Sequence, residues 1–176
     1  FLLDAAGEEI FPEFVSIEER PHIPKGMASA SYDAEGVGTW DRDIVSGGVL
    51  REYVLGSYSA RRLGLQTTAN AGGAQNLLVP GTGGDLESLI KEMSTGLIVE
   101  ELIGHGLNMV TGDYSRGAVG QWVENGEIQY PVHEVTIAGN LRDLYPRIAA
   151  IGDDQDLRGG IRCGSLLVEE MTIAGA

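Results

Sequence analysis

The sequence has few of the features that stabilise secreted or membrane proteins. Its 176 residues include one cysteine, Cys163, so the chain cannot form an internal disulfide. This predicts a reducing, cytoplasmic compartment. No apolar run approaches the roughly 20 residues that a membrane-spanning helix needs, so we predict no membrane partner.

Basic residues are also scarce. The chain has 12 lysines and arginines against 26 aspartates and glutamates, which gives a formal net charge of −14. An acidic surface of this kind repels the phosphate backbone of nucleic acids, so we predict no nucleic-acid partner.

Glycine, in contrast, is abundant. The chain has 26 glycines but only 6 prolines, and the glycines follow no fixed period. This composition predicts many tight turns and bulges rather than low complexity. The apolar fraction of 43% supports one folded domain over residues 1–176. The opening FLLDAAG is expected to come from the interior of a longer protein.

Local patterns predict two or three short helices. The clearest is Asp85–Met93, with Asp85 as the N-cap and Gly96 ending it. Its apolar residues have helical spacing and predict a buried stripe, which consists of Leu86, Leu89, Ile90 and Met93. The other helices are Ser57–Leu63, closed by Gly64, and Leu141–Tyr145, capped by Asn140.

The remaining patterns favour strands without βαβ alternation. The strongest signal is QWVENGEIQYPV (Gln121–Val132), because Asn125-Gly126 suits a type I′ hairpin turn. A weaker hairpin joins Gly36–Val45 to Val49–Val54. Further strands are predicted at Leu97–Glu101, Leu107–Thr111, His133–Ala138, Arg147–Ile151, Ser165–Val168 and Met171–Ala174. The polar stretch Gln66–Gly84 is predicted to be a surface loop.

The stretch EELIGHG (residues 100–106) resembles the end of a zinc-peptidase helix. Zincins place two histidines four residues apart, in H-E-x-x-H. Here Glu100 and His105 are five apart and the first histidine is missing, whereas Leu97-Ile98-Val99 favours a strand. The pattern therefore favours a strand entering a glycine turn over a metal site.

Two other segments carry reactive side chains. In GDYSRG, Ser115 stands one residue too far from its glycine for a nucleophile elbow, which favours a turn with a structural serine. Arg116 can bind a carboxylate in a bidentate manner, or it can form an internal salt bridge. Cys163 next to Arg162 lacks a catalytic cysteine signature, and a buried structural thiol is the simpler interpretation.

Residues 111–140, TGDYSRGAVGQWVENGEIQYPVHEVTIAGN, resemble the C-terminal domain of the TldD/PmbA family, in its PmbA (TldE) branch. The resemblance extends over essentially the whole chain, through SIEERPH, YDAEGV, LGSYSARRLG, NAGG, IKEMSTGLIVEELIG, IGDD and CGSLLVEEMTIAG. It implies an α+β, mainly β fold with a barrel-like, mixed or antiparallel sheet. It also implies that an N-terminal α/β domain is absent from this chain.

The resemblance implies a function as well. Relatives form a cytosolic TldD/TldE heterodimeric metallopeptidase that degrades unfolded peptides, matures the microcin B17 precursor and degrades the CcdA antitoxin. Zinc is held by the TldD subunit through H-E-x-x-x-H and a cysteine, and only Cys163 matches one of those ligands. The counterpart of the histidine motif is expected upstream of Phe1. No cofactor is therefore expected in this chain.

The expected partners are a TldD-like subunit, or a second copy in a homodimer, and an unfolded peptide. Arg116, Tyr114 and His105 are the candidate substrate or interface contacts, and no catalytic residue is assigned. Two alternatives stay open. One is a self-sufficient peptidase with an atypical site using Cys163, His105 and acidic residues. The other is a regulatory or scaffold module of the modulator-of-gyrase type.

Overall fold

The computed structural model describes residues 1–175, and these residues are mainly β. The three α-helices in this range are α1 (Ser57–Leu63), α2 (Leu86–Met93) and α3 (Leu141–Leu144), the last followed by a 3-10 turn at Tyr145–Arg147. The eleven strands in this range are β1 (Ile17–Glu19), β2 (Arg42–Ser46), β3 (Val49–Leu50), β4 (Leu77–Leu78), β5 (Gly96–Ile103), β6 (Asp113–Glu124), β7 (Glu127–Asn140), β8 (Ile148–Ile151), β9 (Ile161–Arg162), β10 (Leu166–Val168) and β11 (Thr172–Ala174). The predicted class is confirmed. None of the helices in residues 1–175 is long and apolar enough to span a bilayer.

The chain divides into two compact units. We call Leu2–Gly81 together with Gln155–Gly164 the β1–β4 unit, and Phe1 with residues 82–154 and 165–175 the meander unit. That residues 1–176 form a single domain stays a prediction.

The β1–β4 unit contains one mixed sheet with strand order β3-β2-β1-β4-β9. All neighbours are antiparallel except β4 and β9. The predicted hairpin turn is confirmed, since Gly47 and Gly48 both have positive φ, as a two-residue primed turn requires. Its strands are shorter than predicted, because β2 begins at Arg42 and β3 ends at Leu50. The apolar core of this unit lies on the hairpin and includes Ala5, Ile44, Val45 and Leu50.

The meander unit contains an antiparallel sheet with order β11-β7-β6-β5 and a second pair, β10-β8. The predicted hairpin between β6 and β7 is confirmed. Glu124 pairs with Glu127, and Asn125 and Gly126 have φ of 54° and 74°. The buried core of the sheet consists of Ala118, Val135 and Ile137.

Two β-bulges stand beside each other across this sheet. The register between β5 and β6 shifts between Val99 and Glu101. The register between β6 and β7 shifts at β6 residues 118–120. On β7 the extra residues include Glu134, whose φ is 59°. Gly120 lies between the two bulges, and a Cβ there would overlap the carbonyl oxygen of Ile98. Because bulges bend and twist strands, we expect β5, β6 and β7 to bend near Gly120.

The barrel-like closure that the resemblance implies is not found. Within residues 1–175 the three sheets are open and each has two edge strands. In the meander sheet the edges are β11 and β5, and β5 is the longer, with eight residues.

The predicted helix caps are confirmed. Asp85 accepts a hydrogen bond from the Ser88 N–H at 3.0 Å, Asn140 accepts one from the Arg142 N–H, and Gly64 closes α1 with φ 67°. The predicted last residue of α2, Met93, is confirmed, but Gly96 is not the residue that ends the helix. Ser94 is its C-cap, and Gly96 begins β5.

Two loop predictions also differ from the structure. Leu107–Thr111 is not a strand, because only Leu107 forms a bridge, with Tyr114, and a turn follows. The stretch Gln66–Gly84 is not simply a surface loop. It contains β4 and four buried residues, which are Ala69, Asn70, Gln75 and Asn76.

Asn70 and Gln75 belong to a buried polar network in the β1–β4 unit. The Arg42 Nε donates to the Glu19 carboxylate at 2.6 Å, and both residues are buried. The other Glu19 oxygen accepts from the Asn70 amide at 2.8 Å and from the Gln75 N–H at 2.7 Å. Arg42 also donates to Asn70 and to the Tyr53 carbonyl. Buried charges require partners of this kind, so the loop is polar because it lines an ion pair.

Asp33, in YDAEGV, accepts the hydrogen bonds of a neighbouring turn. We expect its ionisation to make the stability of the protein depend on pH. Burial raises the pKa of Asp33, but hydrogen bonds from the N–H groups of Val37, Ala71 and Glu35 outweigh it and hold the pKa below its ordinary 3.8. A lowered folded-state pKa contributes stability that is present above 3.8 and lost as the pH falls through the folded value. We therefore expect Asp33→Asn to destabilise the protein near neutral pH and progressively less in acid.

Urea denaturation of the protein and of Asp33→Asn, at about pH 6 and at about pH 3, measures this difference. A destabilisation that stays constant between the two pH values would contradict the assignment.

Candidate functional site: the free edge of the meander sheet

Strand β5 presents an unpaired backbone edge. It pairs with β6 on one side only, and the apolar side chains of Val99, Leu102 and Ile103 are 39%, 38% and 52% exposed. The Glu100 carboxylate at the bulge accepts a hydrogen bond from the Gln121 amide at 2.6 Å. The predicted strand Leu97–Glu101 is confirmed and extends to Ile103. A free edge of this kind can pair with an extended peptide.

EELIGHG is therefore the end of an edge strand and a glycine turn, and it is not helical. Gly104 has φ 79°, a conformation that favours glycine. At Gly106 a Cβ would overlap the Ser115 carbonyl oxygen, and the Ser115 N–H donates to the Gly106 carbonyl at 2.7 Å. The two glycines bring the turn directly against the start of β6.

Arg116 lies on β6 beside this turn. Its Nη2 donates to the Leu102 carbonyl at 3.2 Å, which holds the guanidinium against β5. Among residues 1–175 no carboxylate lies within ion-pair distance of it, and its Nε is buried without a hydrogen-bond partner. The GDYSRG turn was predicted wrongly, since this segment begins β6. An arginine with spare donors beside a free strand edge suits a carboxylate ligand.

Tyr114 and His105 flank the same turn. Tyr114 is half-buried, forms the bridge with Leu107, and packs against the core of the sheet. His105 lines a shallow recess of about 360 Å³, together with Gly106, Leu107, Asn108, Asp113 and Ser115. The structure thus brings His105, Tyr114 and Arg116 to one turn, and their role as contacts stays a prediction.

Candidate metal ligands are dispersed among residues 1–175. Across the described range no group of three or more His, Cys, Asp or Glu side chains could hold a metal. Cys163 belongs to the β1–β4 unit, is partly buried, and donates from Sγ to the Gly164 carbonyl at 3.3 Å. His22 faces the Thr39 hydroxyl at 3.1 Å.

The meander unit also contains an apolar groove of about 710 Å³ that sequence patterns did not predict. Helix α2 forms one wall. The stripe predicted to be buried is buried only at Leu89 and Ile90, whereas Leu86 is 40% exposed at the groove. The helical spacing identified the right face but not whether anything covers it.

Comparison with known proteins gives a family and several relatives. A model of the PmbA/TldA metallopeptidase C-terminal domain matches residues 1–175. The metalloprotease PmbA of Escherichia coli O157:H7 is 55% identical over 175 residues, which cover 99% of this chain and 39% of that protein. The chain thus spans about two-fifths of the length of this curated relative.

Solved structures show the same fold. A candidate modulator of DNA gyrase from Bacteroides thetaiotaomicron matches with a TM-score of 0.92 and 32% identity, over 100% of this chain and 40% of that one. TldE from Thermococcus kodakarensis matches with a TM-score of 0.82 and 24% identity, over 99% of this chain and 42% of that one, which shows the fold alone.

Proposed function

The chain belongs to the PmbA/TldA metallopeptidase family through its C-terminal domain, and on this premise we propose that it serves as a subunit of a TldD/TldE-type peptidase complex. In this proposal the chain contributes architecture, a subunit interface and a surface for unfolded peptides in the cytoplasm. The zinc and the chemistry belong to a TldD-like partner subunit. The proposed complex is a heterodimer with the TldD-like subunit. A homodimer is the alternative assembly.

The observation that carries the proposal is the free β5 edge with Arg116 beside it. Backbone pairing along an edge strand binds peptides without selecting a sequence, which suits a substrate that lacks structure. Arg116 adds a cation in a chain of net charge −14 and has no carboxylate partner among residues 1–175. It can bind an acidic group of either a peptide or a partner subunit.

The test is to purify the full-length protein that carries this chain, alone and together with a TldD-like subunit. We expect zinc to copurify with the TldD-like subunit, and hydrolysis of an unfolded peptide to require both subunits.

Arg116→Gln is expected to raise KM if Arg116 contacts peptide, or to weaken subunit association if it contacts the partner. Arg116→Lys, which keeps the charge but not the planar fork, is the matched variant. Stoichiometric zinc on the protein that carries this chain, purified alone, would sink the proposal.

Cys163→Ser separates the proposal from a self-sufficient peptidase. We expect unchanged peptidase activity in the assembled complex, because Cys163 belongs to no group of three or more candidate metal ligands among residues 1–175. Loss of activity with retained assembly would instead favour an atypical site that uses Cys163.

A second candidate is a regulatory module that acts on gyrase, favoured by the name of the Bacteroides thetaiotaomicron neighbour. With a net charge of −14 the contact would be with the gyrase protein rather than with DNA. Capture of purified gyrase subunits, and not of a TldD-like subunit, would support this role.

A further inference from the structure

The apolar groove has three walls and a floor, all from the meander unit. Helix α2 supplies Leu86, Leu89, Ile90 and Met93, and β5 supplies Leu97, Ile98 and Val99. Trp122 and Ile137 form its floor, and β10 and the segment after it complete the lining. Its volume of about 710 Å³ lies within the roughly 300–1,000 Å³ of ordinary ligand sites.

The apolar lining is open to solvent. Leu86, Val99, Leu166 and Ile173 are between 39% and 51% exposed, although all four face the groove. Apolar side chains that are exposed together in one concave surface form a candidate binding site.

The charged residues that line the groove indicate which kind of ligand it suits. Every charged residue that lines the groove is a glutamate, and these are Glu92, Glu169 and Glu170. Glu170 is paired with Arg147 at 2.9 Å, whereas Glu92 and Glu169 have no ion-pair partner among residues 1–175. An apolar floor with unpaired carboxylates at its rim complements apolar side chains flanked by lysine or arginine.

We propose that this groove binds apolar segments of unfolded peptides that carry lysine or arginine at their flanks. The inference rests on the proposed peptide-binding role and names the class of peptide. Anionic lipid headgroups are disfavoured because the rim carboxylates repel them. A second copy is disfavoured because both copies carry a charge of −14 and the rim offers only acidic groups.

Trp122 provides a probe inside the groove. The chain has 2 tryptophans, so Trp40→Phe, in the other unit, leaves Trp122 as the only one of them. In the full-length protein, with further tryptophans outside this chain replaced, a short end-blocked peptide of leucine and lysine is titrated against Trp122 fluorescence. We expect a saturable change that weakens with added salt, and a much smaller change with the matched peptide of leucine and glutamate.

Paired substitutions then test the rim and the floor. Glu92→Gln with Glu169→Gln should weaken binding of the leucine–lysine peptide roughly three- to tenfold, the effect of losing two exposed ion pairs. The matched control, Glu127→Gln with Glu134→Gln, changes the net charge equally on exposed residues outside the groove and should leave binding unchanged. Leu166→Ser should weaken binding through the apolar contact.

Three outcomes would overturn the inference. They are equal weakening by the control pair, equal binding of the leucine–glutamate peptide, and a Trp122 change that depends on protein concentration without peptide, which would indicate a second copy. Each leaves the zinc and peptidase measurements of the complex unaffected, so the groove can be rejected while the subunit role stands. Loss of the subunit role would instead appear as zinc on the protein that carries this chain, purified alone.

Discussion

Replacing Arg42 by alanine is expected to lower the free energy of unfolding by about 3–5 kcal/mol, because it leaves a buried carboxylate without its counter-ion. Arg42 and Glu19 are only 6% and 2% exposed. The guanidinium also donates to the Asn70 amide oxygen, the Tyr53 carbonyl and the Glu52 carboxylate, so four acceptors lose a donor at once. Glu19→Ala should cost a similar amount, and the double variant should cost less than the sum because the two residues share one interaction.

Urea denaturation followed by circular dichroism measures this effect. Lys91→Ala is the matched control, since it breaks the exposed Lys91–Glu87 pair, whose side chains are 67% and 75% exposed. We expect no measurable change for that variant. If Arg42→Ala cost no more than Lys91→Ala, the network would not be a determinant of the fold.

Gly120→Ala is expected to disrupt the pairing of β5 with β6 in the middle of the meander sheet. The added Cβ would overlap the Ile98 carbonyl oxygen on β5, and a backbone atom in a strand cannot turn aside as a flexible side chain can. Strand β5 must therefore move away from β6 where they pair. Forced overlap of this kind costs about 1–3 kcal/mol or more, and it should weaken peptide binding because β5 supplies the edge.

Hydrogen exchange of the β5 amides, read together with thermal denaturation, tests this expectation. Faster exchange should be confined to Gly96–Ile103 and its partner residues on β6. The control is Gly38→Ala, where a Cβ would meet nothing closer than 4.0 Å. Unchanged hydrogen-exchange protection of β5 in the Gly120 variant would contradict this expectation. It would show that β5 and β6 accommodate the added methyl group without separating.

Elements specified by neighbouring residues could be predicted from the sequence. Asp85 caps α2 through a residue three positions away, and Asn125-Gly126 is a residue pair that tolerates the positive φ angles of its turn. The Glu19–Arg42 pair could not be predicted, because its partners are 23 residues apart and meet only when β1 pairs with β2. The stretch 66–84 was assigned to the surface because it is polar, yet its amides satisfy a buried ion pair.

The candidate site was predictable only in part. His105, Tyr114 and Arg116 were identified as candidate contacts, and the turn that gathers them follows from the glycines of EELIGHG. The groove could not be predicted. The sequence of α2 shows an apolar face, but no local pattern indicates what that face packs against. Whether a surface stays uncovered depends on the whole unit.

The bulge on β5 limits how much chain this edge can accept. Regular pairing of β5 with β6 is interrupted after Gly96–Val99 and resumes at Glu101. An incoming strand that follows the same edge therefore meets a break after about four residues, where Glu100 leaves the regular ladder. Long, flat strands of the kind that stack into fibrils cannot extend across such a break, whereas a short flexible segment can bind and leave again. We therefore expect the same irregularity to favour short, transient pairing over polymerisation along this edge.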